Sequence, residues 1–278
     1  MSLVTTPAVV LHAFDYMESS RIVRLFTRDA GVQSALARGA RSSRKRFGGG
    51  GALDLFAEGE AQFHVKSGRE LHTLAGFDVT RSRPALALDI GRFTAASALA
   101  ELVLRFARDD AQPSLYDAFL DALDRLAAAP AGRTREAGLA GAWRLVAELG
   151  FAPSLDACNA CHEAIPADRP AAFSHPAGGV LCPTCARLGG ATRLLPADAR
   201  AALRRWTVDA AADETAAASE PLDAAAGRAH QRLLREFLRE HLTDGRPLRA
   251  LDMWEGEWWD AVPPSSTIQP ASPTLARG

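Results

Sequence analysis

Arg21-Ile22-Val23-Arg24-Leu25-Phe26-Thr27, the break Arg28-Asp29-Ala30-Gly31, and the run that opens Val32-Gln33-Ser34-Ala35-Leu36 decide how the start of this chain is read. β-Branched and aromatic residues flank a short polar break that ends in glycine, the pattern of two strands joined by a turn. The same pattern extends outward. Upstream, Ala8–Phe14 is a compact apolar run, and downstream the second strand continues to Ala40. Leu53–Val65 ends in alternation, with Ala61, Phe63 and Val65 on one face and Glu60, Gln62 and His64 on the other. Lys66-Ser67-Gly68-Arg69 is a further turn, followed by Glu70–Val79. Five strand candidates within about the first 80 residues predict a small closed barrel. Five is the strand count of the OB-fold, and SH3-like barrels give a similar pattern. Phe26, Phe56 and Phe63 are expected to be core residues, not base-stacking ones.

After Pro84 the period changes. Ile90–Arg108, Ser114–Ala128 and Arg133–Leu149 carry apolar residues at helical spacing, with Pro113 ahead of the second and Gly150 behind the third. Residues 151–190 break that pattern with prolines, glycines and all four cysteines. Helical character returns at Pro196–Val208 and Leu222–Leu242. The expected α+β organisation is a barrel over 1–80, a helical body in two parts (81–150 and 191–260), an insertion at 151–190 and a disordered tail at 261–278.

The 278 residues are 47% hydrophobic and 23% charged, which excludes a wholly disordered or fibrous chain. No window approaches the run of about 18 apolar residues that spans a membrane. The N-terminus has no basic segment ahead of its apolar run and meets Asp15 and Glu18 early, so a cytoplasmic protein is expected. Net charge is −1, so a nucleic-acid role must rest on local clustering. Lys45 and Lys66 are the only lysines, and arginine, with its planar fork for phosphate, carries the remaining positive charge.

Cys158-Asn159-Ala160-Cys161 and Cys182-Pro183-Thr184-Cys185 form two C-x2-C knuckles twenty residues apart. Each knuckle brings two thiolates to one ion, and two knuckles complete a zinc tetrahedron. Four thiolates leave no open position, so one structural Zn2+ is expected, with His162 and His175 as ordinary surface residues. A redox pair would leave the second knuckle unexplained.

Five of the nine residues from Arg38 to Arg46 are basic (Arg38, Arg41, Arg44, Lys45, Arg46) and none is acidic. On a barrel rim such a loop can follow a phosphate backbone. Its plainer reading is a solvated charge run.

In order along the chain, Val9-Val10-Leu11, Tyr16-Met17-Glu18-Ser19-Ser20, Leu25-Phe26-Thr27, Gly31, Arg38-Gly39-Ala40-Arg41 and Arg46-Phe47 resemble the N-terminal domain of the bacterial RecO family of recombination mediators. The likeness continues through the helical region and the four-cysteine insertion. It implies an OB-fold over residues 1–80, a helical body and a zinc module packed on it. It also implies binding of single- and double-stranded DNA and annealing of complementary strands. Further implications are contact with the acidic C-terminal tail of single-stranded-DNA-binding protein, a complex with RecR, and help in loading RecA onto coated single strands. Arg38, Arg41, Arg44, Lys45 and Arg46 fall on the family's basic loop and become DNA-contact candidates, with Arg21 and Arg24 on the neighbouring strand. Where the family usually has a proline-containing stretch, Gly48–Gly51 and Asp54 stand here.

A different class remains open: a zinc-stabilised adaptor whose basic loop binds an acidic protein. No enzyme is expected, since there is no phosphate-binding G-x-x-x-x-G-K-[ST], nucleophile elbow or H-E-x-x-H, and adjacent Asp109-Asp110 point in different directions on a helix. Arg204-Arg205-Trp206 and the one-faced run Arg228, Arg232, Arg235, Arg239 read as solvated surface in which Glu236 and Glu240 pair with neighbouring arginines. Trp254, Trp258 and Trp259 are expected to pack.

Overall fold

A computed structural model describes residues 2–41, 46–47, 53–65, 70–189, 193–208, 221–243 and 245–256. The N-terminal strands are β1 (Ser2–Tyr16), β2 (Ser20–Thr27), β3 (Gly31–Ala37), β4 (Glu58–Val65) and β5 (Leu71–Arg81). They close into a barrel of order β1-β2-β3-β5-β4, in which β3 and β5 run parallel and every other neighbouring pair is antiparallel. This is the OB-fold topology. Val10, Val23, Leu25, Ala35, Phe63 and Phe77 fill its interior.

Helices α1 (Pro84–Leu88), α2 (Ile90–Phe106), α3 (Pro113–Ala128) and α4 (Thr134–Glu148) follow. The insertion holds β6 (Ala171–Ser174), β7 (Gly179–Leu181), α5 (Pro183–Leu188) and β8 (Arg193–Leu195), with the three strands in the order β7-β6-β8. The chain then returns to the helical body as α6 (Ala197–Thr207), α7 (Ala224–His241) and α8 (Arg249–Glu255). Proline opens α1, α3 and α5, where its missing N–H costs nothing. Asp89 and Asp223 cap α2 and α7 by accepting from Arg92 and Ala226 backbone N–H groups.

Barrel and helices share a core. Val9, Leu11, Phe26, Val32 and Phe56 point out of the barrel into the helical cluster, where the Phe26 ring meets Tyr116 and Phe119 edge to face. Burial raises the Tyr116 hydroxyl far above its usual range. Gly31, at φ +64°, lies under the α2–α3 loop, where an added Cβ would stand 2.3 Å from the Arg108 carbonyl. Arg83 seals the seam. Its side chain is 2% exposed and donates to Asp124 (2.6 Å), Glu58 (2.7 Å) and the Phe56 carbonyl (3.3 Å). Burial opposes its charge, yet hydrogen bonds to Asp124 and Glu58 hold its pKa above the ordinary value.

The end of the described chain is clamped across the body. Glu101 of α2 accepts from the backbone N–H groups of Arg249, Ala250 and Leu251, capping α8 with charge where the helix dipole is positive. Trp254 is fully buried against Gly138, as expected for packing, whereas Trp258 and Trp259 lie outside the described residues. Among the described residues no helix is long and apolar enough to cross a membrane.

Candidate nucleic-acid interface and metal centre

A bulge between Val10 and His12 reverses the alternation of β1, so Val10 and Ala13 both face the barrel interior and His12, Phe14 and Tyr16 face outward. The register then lays rows across the outer face of β1, β2 and β3. Phe14, Ile22 and Leu36 form one row; His12, Arg24 and Ser34 form the next. Phe14 and Tyr16 are exposed, and the His12 ring meets Phe14 edge to face at 5.7 Å. In OB-folds the strand 2–3 face and adjoining loops are where oligonucleotides lie. The sequence reading named Arg24 as a contact candidate and did not single out Phe14 or Tyr16, because nothing within the apolar run of β1 marks the bulge.

The basic segment borders this face. The Arg41 backbone N–H donates to the Ser19 carbonyl (3.1 Å), tying the segment to the β1–β2 turn. At its far end Phe47, 1% exposed, plugs the barrel, and the Arg46 carbonyl accepts from the Phe77 N–H at 3.1 Å. Arg46 donates to the Arg38 carbonyl (2.8 Å) and lies 5.4 Å over the Phe47 ring. Asp15 sits between Arg21 (3.0 Å) and Arg41 (3.7 Å), so one carboxylate partly offsets two candidate cations. The structure therefore brings Arg21, Arg38, Arg41 and Arg46 to one end of the barrel, with Arg24 mid-strand on the adjoining face; Arg44 and Lys45 lie outside the described residues.

The four cysteines converge, with all Sγ atoms within 4.8 Å of one another. A tetrahedral site with metal–sulfur bonds of about 2.3 Å has sulfur–sulfur edges of about 3.8 Å. Cys161 and Cys182 stand 3.8 Å apart and no disulfide joins any pair. His162, at φ +63°, closes the first knuckle by donating its N–H to the Cys158 carbonyl (2.8 Å), while Cys182 and Pro183 open α5 in the second. Burial works against the Cys158 thiolate, but N–H groups of Cys182, Cys161 and Ala160 outweigh it and draw the thiol down. Cys185 is driven up by its bonds to Cys182 and Cys161. Four sulfurs this close ionise together only around a cation, which is what a metal centre requires. The residues present fit a metal held by Cys158, Cys161, Cys182 and Cys185.

The module is riveted to the helices. Arg200, fully buried, donates to the Ile165 carbonyl (3.2 Å) and to that of Pro166. His241 donates to the His175 carbonyl at 2.7 Å. His175 itself is not an ordinary surface residue: its ring packs on Phe173, and burial lowers its pKa despite nearby Glu236. Glu236 is committed to Arg193 (2.8 Å) and Arg235 to Glu255 (2.6 Å), so these pairs reach across the fold, where the sequence suggested pairing along α7.

An apolar cavity of about 300 Å³ opens between α3, α4 and α6. Ala122, Ala137, Ala140 and Trp206 line it, with Arg125, Arg133, Arg144 and Arg205 against Asp121 and Glu136 among its polar residues.

The description "Recombination protein O N terminal" matches residues 1–83, and "Recombination protein O C terminal" matches residues 87–251. The chain belongs to the RecO family. It is 43% identical over 257 residues to the DNA repair protein RecO of Anaeromyxobacter dehalogenans strain 2CP-C, covering 90% of this chain and 95% of that one. It is 41% identical over 187 residues to the DNA repair protein RecO of Geobacter sulfurreducens, covering 66% of this chain and 72% of the relative. A RecO-type DNA repair protein is thereby supported along both the barrel and the helical body.

Proposed function

We propose that this RecO-type protein is a non-catalytic mediator that binds single- and double-stranded DNA and anneals complementary strands. It acts in the cytoplasm, on the nucleoid when bound, and with RecR helps load RecA onto single strands coated by single-stranded-DNA-binding protein. The observation that carries this reading is the outward row of exposed Phe14 with half-buried Ile22 and Leu36 beside Arg24, bordered by the segment that holds Arg38, Arg41 and Arg46. Aromatic and apolar side chains receive bases, arginines take phosphates, and annealing follows from neutralising two backbones at one surface. The cysteine cluster supports one structural Zn2+: tetrathiolate coordination suits zinc and leaves no site for substrate. The arginine-lined apolar cavity supports contact with an acidic peptide such as the tail of single-stranded-DNA-binding protein, through charge complementarity over an apolar floor.

Fluorescence anisotropy with a labelled single-stranded oligonucleotide across a salt series tests the DNA reading. Changing Arg44, Lys45 and Arg46 to alanine should weaken binding and flatten the log–log salt slope by up to about 2, at about 0.7 per phosphate contact. Phe14→Ser should cost about 1–3 kcal/mol, as loss of one stacked base does, with the slope unchanged. No binding by the natural protein would sink the mediator reading and favour the adaptor.

A further inference from the structure

Arg200 of α6 is a fully buried cation whose hydrogen bonds go to carbonyls alone. Its Nη2 donates to the Ile165 carbonyl (3.2 Å) and to that of Pro166, while Nε and Nη1 meet no acceptor. Burial and the nearby Arg204 cation draw its pKa down against the pull of Asp156 and Asp168. A charge held in that position needs a counter-charge.

The hairpin that carries the first knuckle meets α6 at its base. The Ile165 N–H donates to the Asp156 carbonyl (2.9 Å), Ala157 bridges Ala164, and the Cys158 N–H donates to the Glu163 carbonyl (2.8 Å). Two short strands thus lead from α6 to Cys158 and Cys161, and α6 holds both. Arg200 takes the Ile165 and Pro166 carbonyls, and Arg204, one turn on, stands 2.8 Å from Asp156. The Ile165 side chain packs against the cluster of Cys158, Leu181 and Cys182, so one residue links the guanidinium to the sulfurs. Four thiolates around a divalent cation leave two negative charges uncompensated, and Cys158 and Cys182 are buried. Arg187, on α5 beside Cys185, is exposed, where solvent screens its charge.

We propose that Arg200 is a positioning residue of the metal centre: its guanidinium supplies the counter-charge to the metal-bound tetrathiolate, and its hydrogen bonds hold the hairpin of Cys158 and Cys161 against α6. Metal binding and the seating of the module on α6 then reinforce each other, so metal affinity depends on a helix that contributes no ligand. This rests on the reading of the four cysteines as a metal centre.

The test measures Zn2+ affinity of the full chain by competition with a chelating dye. Arg200→Lys keeps the charge, whereas Arg200→Gln removes it and keeps a donor. The glutamine variant should bind Zn2+ about 10–100-fold more weakly, as when a group that supports a metal ligand is lost, and the lysine variant should recover most of that. Arg204→Ala removes an exposed pair and should cost about fivefold or less. Visible absorption of the Co2+-loaded chains, which reports the sulfur ligands, should show all four in every form. Equal affinity of the lysine and glutamine variants, or of the glutamine variant and the natural chain, overturns the proposal and leaves the metal centre standing. So does a Co2+ spectrum of the glutamine variant with fewer than four sulfurs, because the loss is then that of a ligand. If circular dichroism shows that Arg200→Gln does not fold, hydrogen exchange of the natural chain decides. Chelation should speed exchange of the α6 amides while β1–β5 stay protected, and unchanged α6 exchange overturns the proposal. No Zn2+ binding by the natural chain sinks the metal-centre reading itself, and the proposal with it.

Discussion

Arg83→Met would test the seam between barrel and helices. Methionine keeps much of the aliphatic stem but removes three hydrogen bonds, to Asp124, Glu58 and the Phe56 carbonyl. Removing one partner of a buried ion pair costs about 3–5 kcal/mol, chiefly because a buried charge is left unpaired. Here two features lower the figure. Arg81 still stands 2.7 Å from Asp124, and Glu58 retains 22% exposure. The expected loss is therefore about 3 kcal/mol, the low end of that range. For a chain of this size that lowers Tm by about 6–12 °C. Urea denaturation followed by circular dichroism measures it directly. The companion Arg83→Met/Glu58→Met should recover at least about 1 kcal/mol, because the orphaned carboxylate goes with its partner. A single-variant loss under about 1 kcal/mol, or no recovery in the double variant, would refute the view that this guanidinium holds the seam.

Metal analysis of protein purified without chelator should return about one zinc per chain, and Cys158→Ser/Cys161→Ser should lose it and unfold more readily; a metal-free natural protein of undiminished stability would remove the zinc assignment. Glu255 gives a pH signature: burial raises its carboxyl to about 7 in spite of Arg235, from 4.5 in the unfolded chain. Between those values the folded chain holds the extra proton, so stability falls as pH rises through that window, by no more than about 3 kcal/mol, and then levels off. Glu255→Gln should flatten that part of the stability–pH curve, and an unchanged slope would contradict it.

The barrel was legible because strand signals are local. Arg21–Thr27 and the Gly31 turn appear in the structure almost residue for residue as β2 and the start of β3. The cysteine cluster was legible for the same reason: spacing within each knuckle fixes which atoms can share an ion. What sequence did not reveal depends on events between distant elements. The β1 bulge moves Phe14 and Tyr16 to the outer face through a single register shift against β2. Arg83 reads as one more arginine until β4 and α3 bring Glu58 and Asp124 to it. Likewise, nothing local pairs Glu236 with Arg193, 43 residues away.

The α8 clamp has a consequence for how the molecule comes into being on the ribosome. Glu101 waits 148 residues for the amide of Arg249, and Trp254 fills space between α2 and α4 that no earlier residue occupies. The barrel can close once β5 has emerged, but the helical body stays open along that groove until almost the whole chain has been made. At about 5–20 residues per second the interval between Glu101 and Arg249 lasts about 7–30 s, during which an unfinished apolar surface is exposed to chaperones. Chains released early by stalled translation would therefore carry a closed barrel on an incomplete body.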